Sequence, residues 1–413
     1  MQSLARLSRP IAITSFLLIA GSYVINAMDR AVFPVLLPAV VHEYGFDLAR
    51  GGFLATIFTL GLGVAGVPSG VLFDRMSRKN IAILGIVIYS MCTLLTCLSV
   101  GFYDMAAYRA VSGVGEALQN AAIFTACGAY FSRNRTLALG LLNVAYGVGA
   151  FIGPRWGTVL LAQGGGWHLP MYVYGGIGLL VAAVLWFFVP RAFTEQRAQD
   201  DDIADESHIP PQLYNRNTIL VGMAAFGAGL ATYGYLGLYP TFLRTVLNFS
   251  AAQTGVAASM YGVGALSGIV CGYIADRANQ KWITIIMLAL LGIVGYLIFN
   301  VAVSPMWQNI LSLLEGLASS GFLYVNNYSL MQRSVRADLA GRASGLVVSC
   351  LYLPAAISGY LLALLKARFD WGDAALIQMS LILIVPAIGM LFFDLSRTSC
   401  PVRPGGRAVS SPI

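Results

Sequence analysis

The sequence predicts an all-α membrane protein with twelve transmembrane helices in two six-helix pseudo-repeats. Three observations predict it. Of 413 residues, 58% are hydrophobic and only 10% are charged, whereas soluble domains carry roughly 25% charged residues. The apolar residues fall into twelve runs, each close to the roughly 20 residues that a spanning helix needs. One charged, glycine-containing stretch recurs at the same point of each half. A soluble fold leaves too much surface outside to hide this much apolar area; lipid as the solvent removes the difficulty.

The first run, near 11–40, follows Arg6 and Arg9 and so has the outline of a signal peptide. It is too long for one, has no obvious cleavage site and precedes eleven more runs, so it reads as the first helix. Glycines, prolines and charge clusters then cut out runs near 51–73, 80–100, 103–131, 136–162 and 170–190. The stretch from Arg191 to Asn217 is the one long hydrophilic segment, with Asp200, Asp201, Asp202, Asp205 and Glu206 ahead of Pro210 and Pro211. Such a composition cannot bury a core and reads as a disordered linker. Runs near 218–243, 252–274, 282–303, 307–331, 341–365 and 374–395 follow. The expected organisation is an N-terminal six-helix bundle over 1–190, a linker over 191–217, a C-terminal six-helix bundle over 218–395 and a tail over 396–413.

The placement of charge orients these runs. Alternate loops collect eighteen Lys and Arg residues, and the opposite loops hold only Arg50, Arg244, Lys366 and Arg368. Basic loops stay in the cytoplasm, which puts both termini and the linker there. Short loops on the other face, with no glycosylation-sized insert, favour a bacterial inner membrane. The net charge of +7 does not imply a nucleic-acid partner, because no basic patch is interleaved with aromatics. Five of the six cysteines lie inside apolar runs, where free Cys behaves as a small hydrophobe. No nucleotide-binding loop, metal-ligand cluster or nucleophile–base constellation occurs. The expectation is no cofactor, no metal, no catalytic residue and no enzyme, but a monomer in the lipid bilayer.

Gly70-Val-Leu-Phe-Asp74-Arg75-Met-Ser-Arg78-Lys79 follows the second run, and Gly272-Tyr-Ile-Ala-Asp276-Arg277-Ala-Asn-Gln-Lys281 follows the eighth. Duplicated six-helix units are how many secondary transporters are built, with the solute held between the halves near the midplane. The two stretches resemble the signature loop of the major facilitator superfamily, and the span count, linker and orientation extend the resemblance over the whole chain. It implies a gating latch in which Asp74 pairs with a helix end or an Arg and Gly70 lets helices approach. The alternative is that Arg75, Arg78 and Lys79 merely set topology.

A charge inside a span costs at least roughly 2.5–3.5 kcal/mol, so each is a functional candidate. They are Asp29 and Arg30 in the first run, Arg109 and Glu116 in the fourth, Arg155 in the fifth and Glu315 in the tenth. Asp29 and Arg30 point about 100° apart, so one can face a solute while the other meets the fourth helix. Arg109 and Glu116, about two turns apart, share a face. Two acids then balance two bases. An anion paired with Arg30 would strip an acid of its counter-charge and raise that acid's affinity for a proton. Anion and proton binding then favour each other, which is the linkage a proton symporter needs. The alternative is a static set of ion pairs that staples the first helix to the fourth.

Asn26-x-x-Asp29-Arg30 with Pro34 and Pro38, Arg109-x-x-x-Gly113-x-Gly115-Glu116-Ala117, and Tyr239-Pro240-Thr241-Phe242-Leu243 resemble the anion:cation symporter branch, which includes sialin-like and sugar-acid transporters. The resemblance implies that Arg30 holds a solute carboxylate, that Asp29 and Glu116 carry protons, and that Arg109 poises Glu116. Two features depart from the branch: Gln119-Asn120-Ala121-Ala122 replaces its usual proline, and Arg155 is an extra cation. Spinster-type lipid transporters share the charged pattern, so it does not select the solute.

The fifth run carries Gly140, Gly149, Gly153-Pro154 and Gly157, which is similar to the superfamily's antiporters except that Thr158 replaces the last glycine. That supports the main alternative, a proton-driven antiporter that exports drugs or amphiphiles. Arg155 is a candidate for a second anionic group of the solute, for a pair with Glu315, or for snorkelling outward. Tyr233 and Asn326 are the candidates for hydrogen-bonding the solute from the C-terminal half. His42, His168 and His208 fall in expected loops, away from any proton relay. The reading as a whole is a symporter that drives a small organic anion, a carboxylate or sugar acid, with protons.

Overall fold

In a computed structural model, residues 7–65, 76–131, 135–195, 209–268, 270, 274, 278–336 and 339–398 are described. They contain long helices and no strand. The N-terminal six are α1 (Arg9–Tyr44), α2 (Leu48–Ala65), α3 (Arg78–Thr96), α4 (Phe102–Tyr130), α5 (Arg135–Leu161) and α6 (His168–Phe188). The C-terminal six begin with α7 (Arg216–Thr245), α8 (Ala251–Ala265) and α9 (Gln280–Asn300). Then come α10 (Pro305–Gly316, a π-helical segment Leu317–Tyr324, and Val325–Arg333), α11 (Ala340–Arg368) and α12 (Trp371–Leu391). Eight of these are long and apolar enough to cross a membrane on length and composition alone. Among the described residues, α4, α5, α8 and α10 are the four that do not meet that test.

Local sequence chemistry sets the helix starts. Asp47, Ser77, Asn215, Ser250 and Ser304 each accept a backbone N–H of the following turn, which satisfies donors that a helix N-terminus leaves open. The first helix outruns its apolar stretch. The polar residues His42 and Glu43 lie within its last turn, and Gly45, in the left-handed region at φ 65°, ends it as glycine commonly does. His42 and His168 are thus helical residues at helix ends rather than loop residues; His168 Nε2 sits 3.7 Å from Glu43 Oε1. His208 lies outside the described residues.

Two seams join the halves. One runs between α2 and α11, where Gly52 meets the backbone of Gly359 and Thr56 Oγ1 donates to Ala356 O at 3.0 Å. The other runs between α5 and α8, where Gly262 abuts the Gly147–Phe151 backbone and Gly255 abuts Thr158. The second helix of each half therefore packs on the fifth helix of the other, as a two-fold relation between repeats requires. Both seams include the ends remote from the linker, called here the far side.

The same repetition governs packing within each half. Gly61 and Gly113 let α2 and α4 touch backbone to backbone; Gly264 and Gly316 repeat that pair at the same spacing between α8 and α10. Gly149, Gly153 and Gly157 bring α5 against α1 at Val24, Met28 and Val32. Close helix approach accounts for Gly149, Gly153 and Gly157 of α5.

On the linker side, Lys79 Nζ donates to Trp186 O at 2.7 Å, and Arg78 donates to Thr194 O at 3.3 Å. Lys281 Nζ donates to Leu391 O at 2.6 Å. A lysine from the start of the third helix thus caps the C-terminal end of the sixth in each half, where carbonyls lack partners and the helix dipole favours a cation. Gly70, Asp74, Arg75, Asp276 and Arg277 lie outside the described residues. The linker is ordered at its start: Arg191–Thr194 forms one helical turn, and Phe193 is buried against Tyr130 with ring centroids 4.4 Å apart.

Gly113→Ala would drive a Cβ into the Phe58 carbonyl, whereas nothing lies within 4 Å of a Cβ at Gly176. Overpacking of this kind costs about 1–3 kcal/mol. Thermal unfolding of detergent-purified protein is expected to shift downward for Gly113→Ala and to stay unchanged for Gly176→Ala.

Candidate functional site

The buried charges meet where α1 crosses α4. Asn26 and Arg30 stand one turn apart on one face of α1, so both reach α4. Arg30 Nε donates to Glu116 Oε2 at 2.8 Å, and its Nη2 donates to Asn26 Oδ1 at 3.3 Å. Asn26 Nδ2 donates to Gln119 Oε1 at 2.9 Å, and Gln119 Nε2 to Ser22 Oγ at 3.0 Å. A continuous polar network therefore ties the two helices together over two turns. Arg30 is 6% exposed and Glu116 1%, so removing either partner alone would strand a buried charge.

Asp29 takes another direction, as neighbours on a helix must. Thr93 on α3 donates its hydroxyl to the Asp29 carboxylate, 2.8 and 2.9 Å from the two oxygens. Arg30 is thus the residue that meets α4, and it also faces the cavity; Asp29 meets α3. Arg109 is not ion-paired with Glu116. Its Nε donates to Leu54 O on α2 at 2.7 Å, and its guanidinium lies 3.8 Å from the Phe33 ring and 5.5 Å from that of Phe58. A desolvated cation–π contact is worth about 2 kcal/mol, so this guanidinium is held by a carbonyl and rings rather than by a carboxylate. Arg109 and Glu116 thus make no direct bond with each other, and any influence of one on the other acts through space.

Arg30 lines a cavity with two lobes between the halves. The far-side lobe, about 590 Å³, is walled by Pro34, Thr56, Phe58, Pro154, Tyr235 and Tyr239, among others. The linker-side lobe, about 720 Å³, includes Asn143, Ser319, Ser320 and Asn327. Arg30, Tyr146, Tyr233 and Tyr261 belong to both. Seven tyrosines surround the linker-side lobe: Tyr23, Tyr146, Tyr233, Tyr261, Tyr324, Tyr328 and Tyr352. The Arg30 guanidinium sits 5.7 Å from the Tyr146 ring and 5.8 Å from that of Phe58. Each lobe is a largely aromatic wall with a few convergent polar groups, the pattern of a small-molecule site.

Of the residues expected to touch a solute, Arg30 and Tyr233 line the cavity. Arg155 does not: it is exposed on α5 while its neighbour Pro154 lines the far-side lobe. Nor does it pair with Glu315, which is buried without a salt bridge among the described residues. Asn326 also points away. Its Nδ2 donates to Gln280 O at 2.9 Å and Thr284 Oγ1 at 2.7 Å on α9, and it is Asn327 that faces the cavity. Adjacent helical residues diverge by about 100°, and a single position therefore separates the two roles. Thr93, Tyr23, Tyr146, Tyr261, Tyr324 and Tyr352 carry no signal in the sequence, because a hydroxyl in an apolar run looks like packing until its neighbours are in place.

A family model described as Major Facilitator Superfamily matches residues 19–359. A gallate transporter of Pseudomonas putida is 23% identical over 323 residues, which is 69% of this chain and 71% of that protein. A cis,cis-muconate transport protein of Acinetobacter baylyi is 23% identical over 397 residues, 92% of this chain and 93% of the other. Among solved structures, a bacterial homolog of the human lysosomal transporter Spinster, inward-facing and occupied, aligns with a TM-score of 0.73 at 17% identity. It covers 94% of this chain and 97% of that one, and so shows the fold.

Three substitutions separate cavity from scaffold. Asn327→Ala is expected to weaken apparent solute affinity about five-fold, the worth of a hydrogen bond of about 1 kcal/mol. Asn326→Ala should leave affinity unchanged and lower the thermal midpoint, since Gln280 O and Thr284 lose a donor. Arg155→Ala should change neither. Solute-titrated uptake and thermal unfolding read all three.

Proposed function

This chain belongs to the Major Facilitator Superfamily and is a membrane transporter, and from that premise we propose that it carries a small organic anion together with protons by alternating access. The carrying observation is the position of Arg30. Its guanidinium lines both lobes of the cavity while bonded at 2.8 Å to Glu116. A carboxylate entering the cavity competes with Glu116 for the same cation. Once Arg30 turns to the solute, the Glu116 carboxylate is left in a buried site without its counter-charge, and a proton is the ligand that neutralises it. Anion and proton then enter as a neutral set, and each favours the other by the same factor.

The relatives support the solute class, since one carries gallate and another cis,cis-muconate. The tyrosine wall suits such a solute: its rings offer area to an organic body, and its hydroxyls offer hydrogen bonds to polar groups. Asp29, bonded to Thr93 at one side of the network, is the second proton carrier of the scheme. Arg109, locked onto Leu54 O and Phe33, supplies a fixed positive field that keeps the four-charge set balanced.

The arginine-rich linker side is the cytoplasmic side in this reading, in a bacterial inner membrane. The far-side seams at Gly52–Gly359 and Gly255–Thr158 then form a closed outer gate. Close approach through glycines gives two bundles a surface on which to rock, and rocking of one bundle against the other is how inverted repeats exchange access.

Purified protein in liposomes is expected to accumulate organic acids such as gallate, benzoate or muconate when the proton gradient is directed inward, and not when it is collapsed. Glu116→Gln should abolish gradient-driven accumulation and retain solute counterflow. Simultaneous loss of both would mark Glu116 as a structural staple. Export of lipophilic cations with no carboxylate uptake would replace symport by antiport.

A further inference from the structure

The C-terminal half holds one buried acid that the scheme above leaves unused. Glu315 on α10 is 1% exposed, and no salt bridge reaches it among the described residues. Its Oε2 has no hydrogen-bond partner. An unpaired carboxylate at membrane depth is among the most expensive groups a helix can carry, and such residues mark proton or ion pathways.

Its position is a permutation of the N-terminal site. Gly113 and Gly316 are matched between the halves by their identical packing roles. One residue before the matched glycine α4 has Ser112 and α10 has Glu315; three residues after it α4 has Glu116 and α10 has Ser319. Acid and serine have exchanged places. The exchange moves the C-terminal acid about one turn along its helix, and no arginine accompanies it.

Gln308, Ser312, Glu315 and Ser319 recur at three- and four-residue steps and form one buried polar stripe on α10. The stripe meets tyrosines that wall the cavity. Tyr235 Oη and Ser312 Oγ are 2.7 Å apart, and Tyr239 Oη donates to Gln308 Oε1 at 3.0 Å. Ser319, itself in the cavity wall, donates to Glu315 O at 2.7 Å and stands 3.2 Å from Tyr261 Oη. Glu315 thus belongs to a stripe whose other members, Gln308, Ser312 and Ser319, meet the tyrosines of the cavity wall. The π-helical segment begins two residues after it, at Leu317, and presents Ser319, Ser320, Leu323 and Tyr324 to the cavity. Single π turns within α-helices frequently occur at functional sites.

We propose that Glu315 is a second proton-exchange site, in the C-terminal bundle, reached through the hydroxyl layer of Ser312, Ser319 and the facing tyrosines. It holds a proton while the far side is closed, and it exchanges that proton when water enters the far-side lobe. The titratable groups facing it are Tyr235 and Tyr239 from α7 and Tyr261 from α8. From α9, which packs on the same helix, no charged or titratable side chain faces it among the described residues. The charged residues of these helices, Arg216, Arg244, Lys281 and Arg333, stand at or next to helix ends. With no cation near, the neutral acid is the form that this site accommodates. The inference is independent of which solute is carried and of the Arg30–Glu116 scheme.

Infrared difference spectroscopy of the full chain in lipid tests it without any solute. The carbonyl band of a protonated carboxylic acid should be present in the wild type and in Glu116→Gln, and its Glu315 component should be lost in Glu315→Gln. Raising the pH from roughly 5 to 9 should convert that component reversibly to carboxylate, as exchange with bulk water requires. A Glu315→Gln spectrum identical to wild type overturns the proposal, because the acid is then ionised throughout. A component unmoved by pH and by D2O also overturns it, because the acid is then sealed. Should Glu315→Gln fail to purify as a monodisperse protein, Glu315→Asp is read instead, where a shifted band supports the proposal and an unshifted one overturns it.

Discussion

A single guanidinium, Arg30, stands between a buried acid and the solute space, and the organisation of the N-terminal half follows from that. Glu116 at 2.8 Å offsets the cost of placing the cation at membrane depth, and Asn26 and Gln119 extend the bond into a network that holds α1 to α4. Breaking one partner of such a pair costs about 3–5 kcal/mol. In the proposed scheme Glu116 is therefore released only when something else neutralises both charges. A carboxylate on Arg30 and a proton on Glu116 do so together, and neither does so alone. In the proposed scheme, structural necessity and transport coupling are the same electrostatic constraint seen in two states.

The halves divide the labour because charge and shape make different demands. Four charges need a rigid, dry setting, and Thr93, Leu54 O, Phe33 and Phe58 provide it from α2, α3 and α1. The facing half contributes Tyr233, Tyr235, Tyr239, Tyr261 and Tyr352, broad surfaces with one polar atom each. The glycine seams at α2–α11 and α5–α8 hold the two surfaces in register without a hydrophobic driving force, which lipid would not supply. Glu315 is the exception to the division. It is a buried acid in the half that otherwise contributes shape, with no salt bridge among the described residues.

Much of the fold was legible because membrane insertion imposes a length and a polarity on each helix, and capping residues mark where the next begins. The end of α1 was not, since His42 and Glu43 break the hydropathy pattern without breaking the helix. Neither was the π-helical segment of α10, which has no local sequence signature. Within the site, the cost of buried charge picked out Asp29, Arg30, Arg109, Glu116 and Glu315, and all are buried. The same rule misled at Arg155, where a cation in an apolar run sits on the exposed face of α5. Asn326 and Asn327 show the limit of reading along one dimension: adjacent amides of equal chemistry face α9 and the cavity respectively. Partners such as Thr93 and Tyr146 depend on which helices cross, and one sequence does not record crossings.

The central claim is that a solute anion and a proton replace the Arg30–Glu116 bond together. Its most direct measurement is proton uptake from weakly buffered solution when the best-transported acid of a panel binds detergent-solubilised protein near neutral pH. The account predicts uptake of about one proton per solute bound, as reciprocal linkage requires. Saturating binding of that acid with no proton taken up would contradict it.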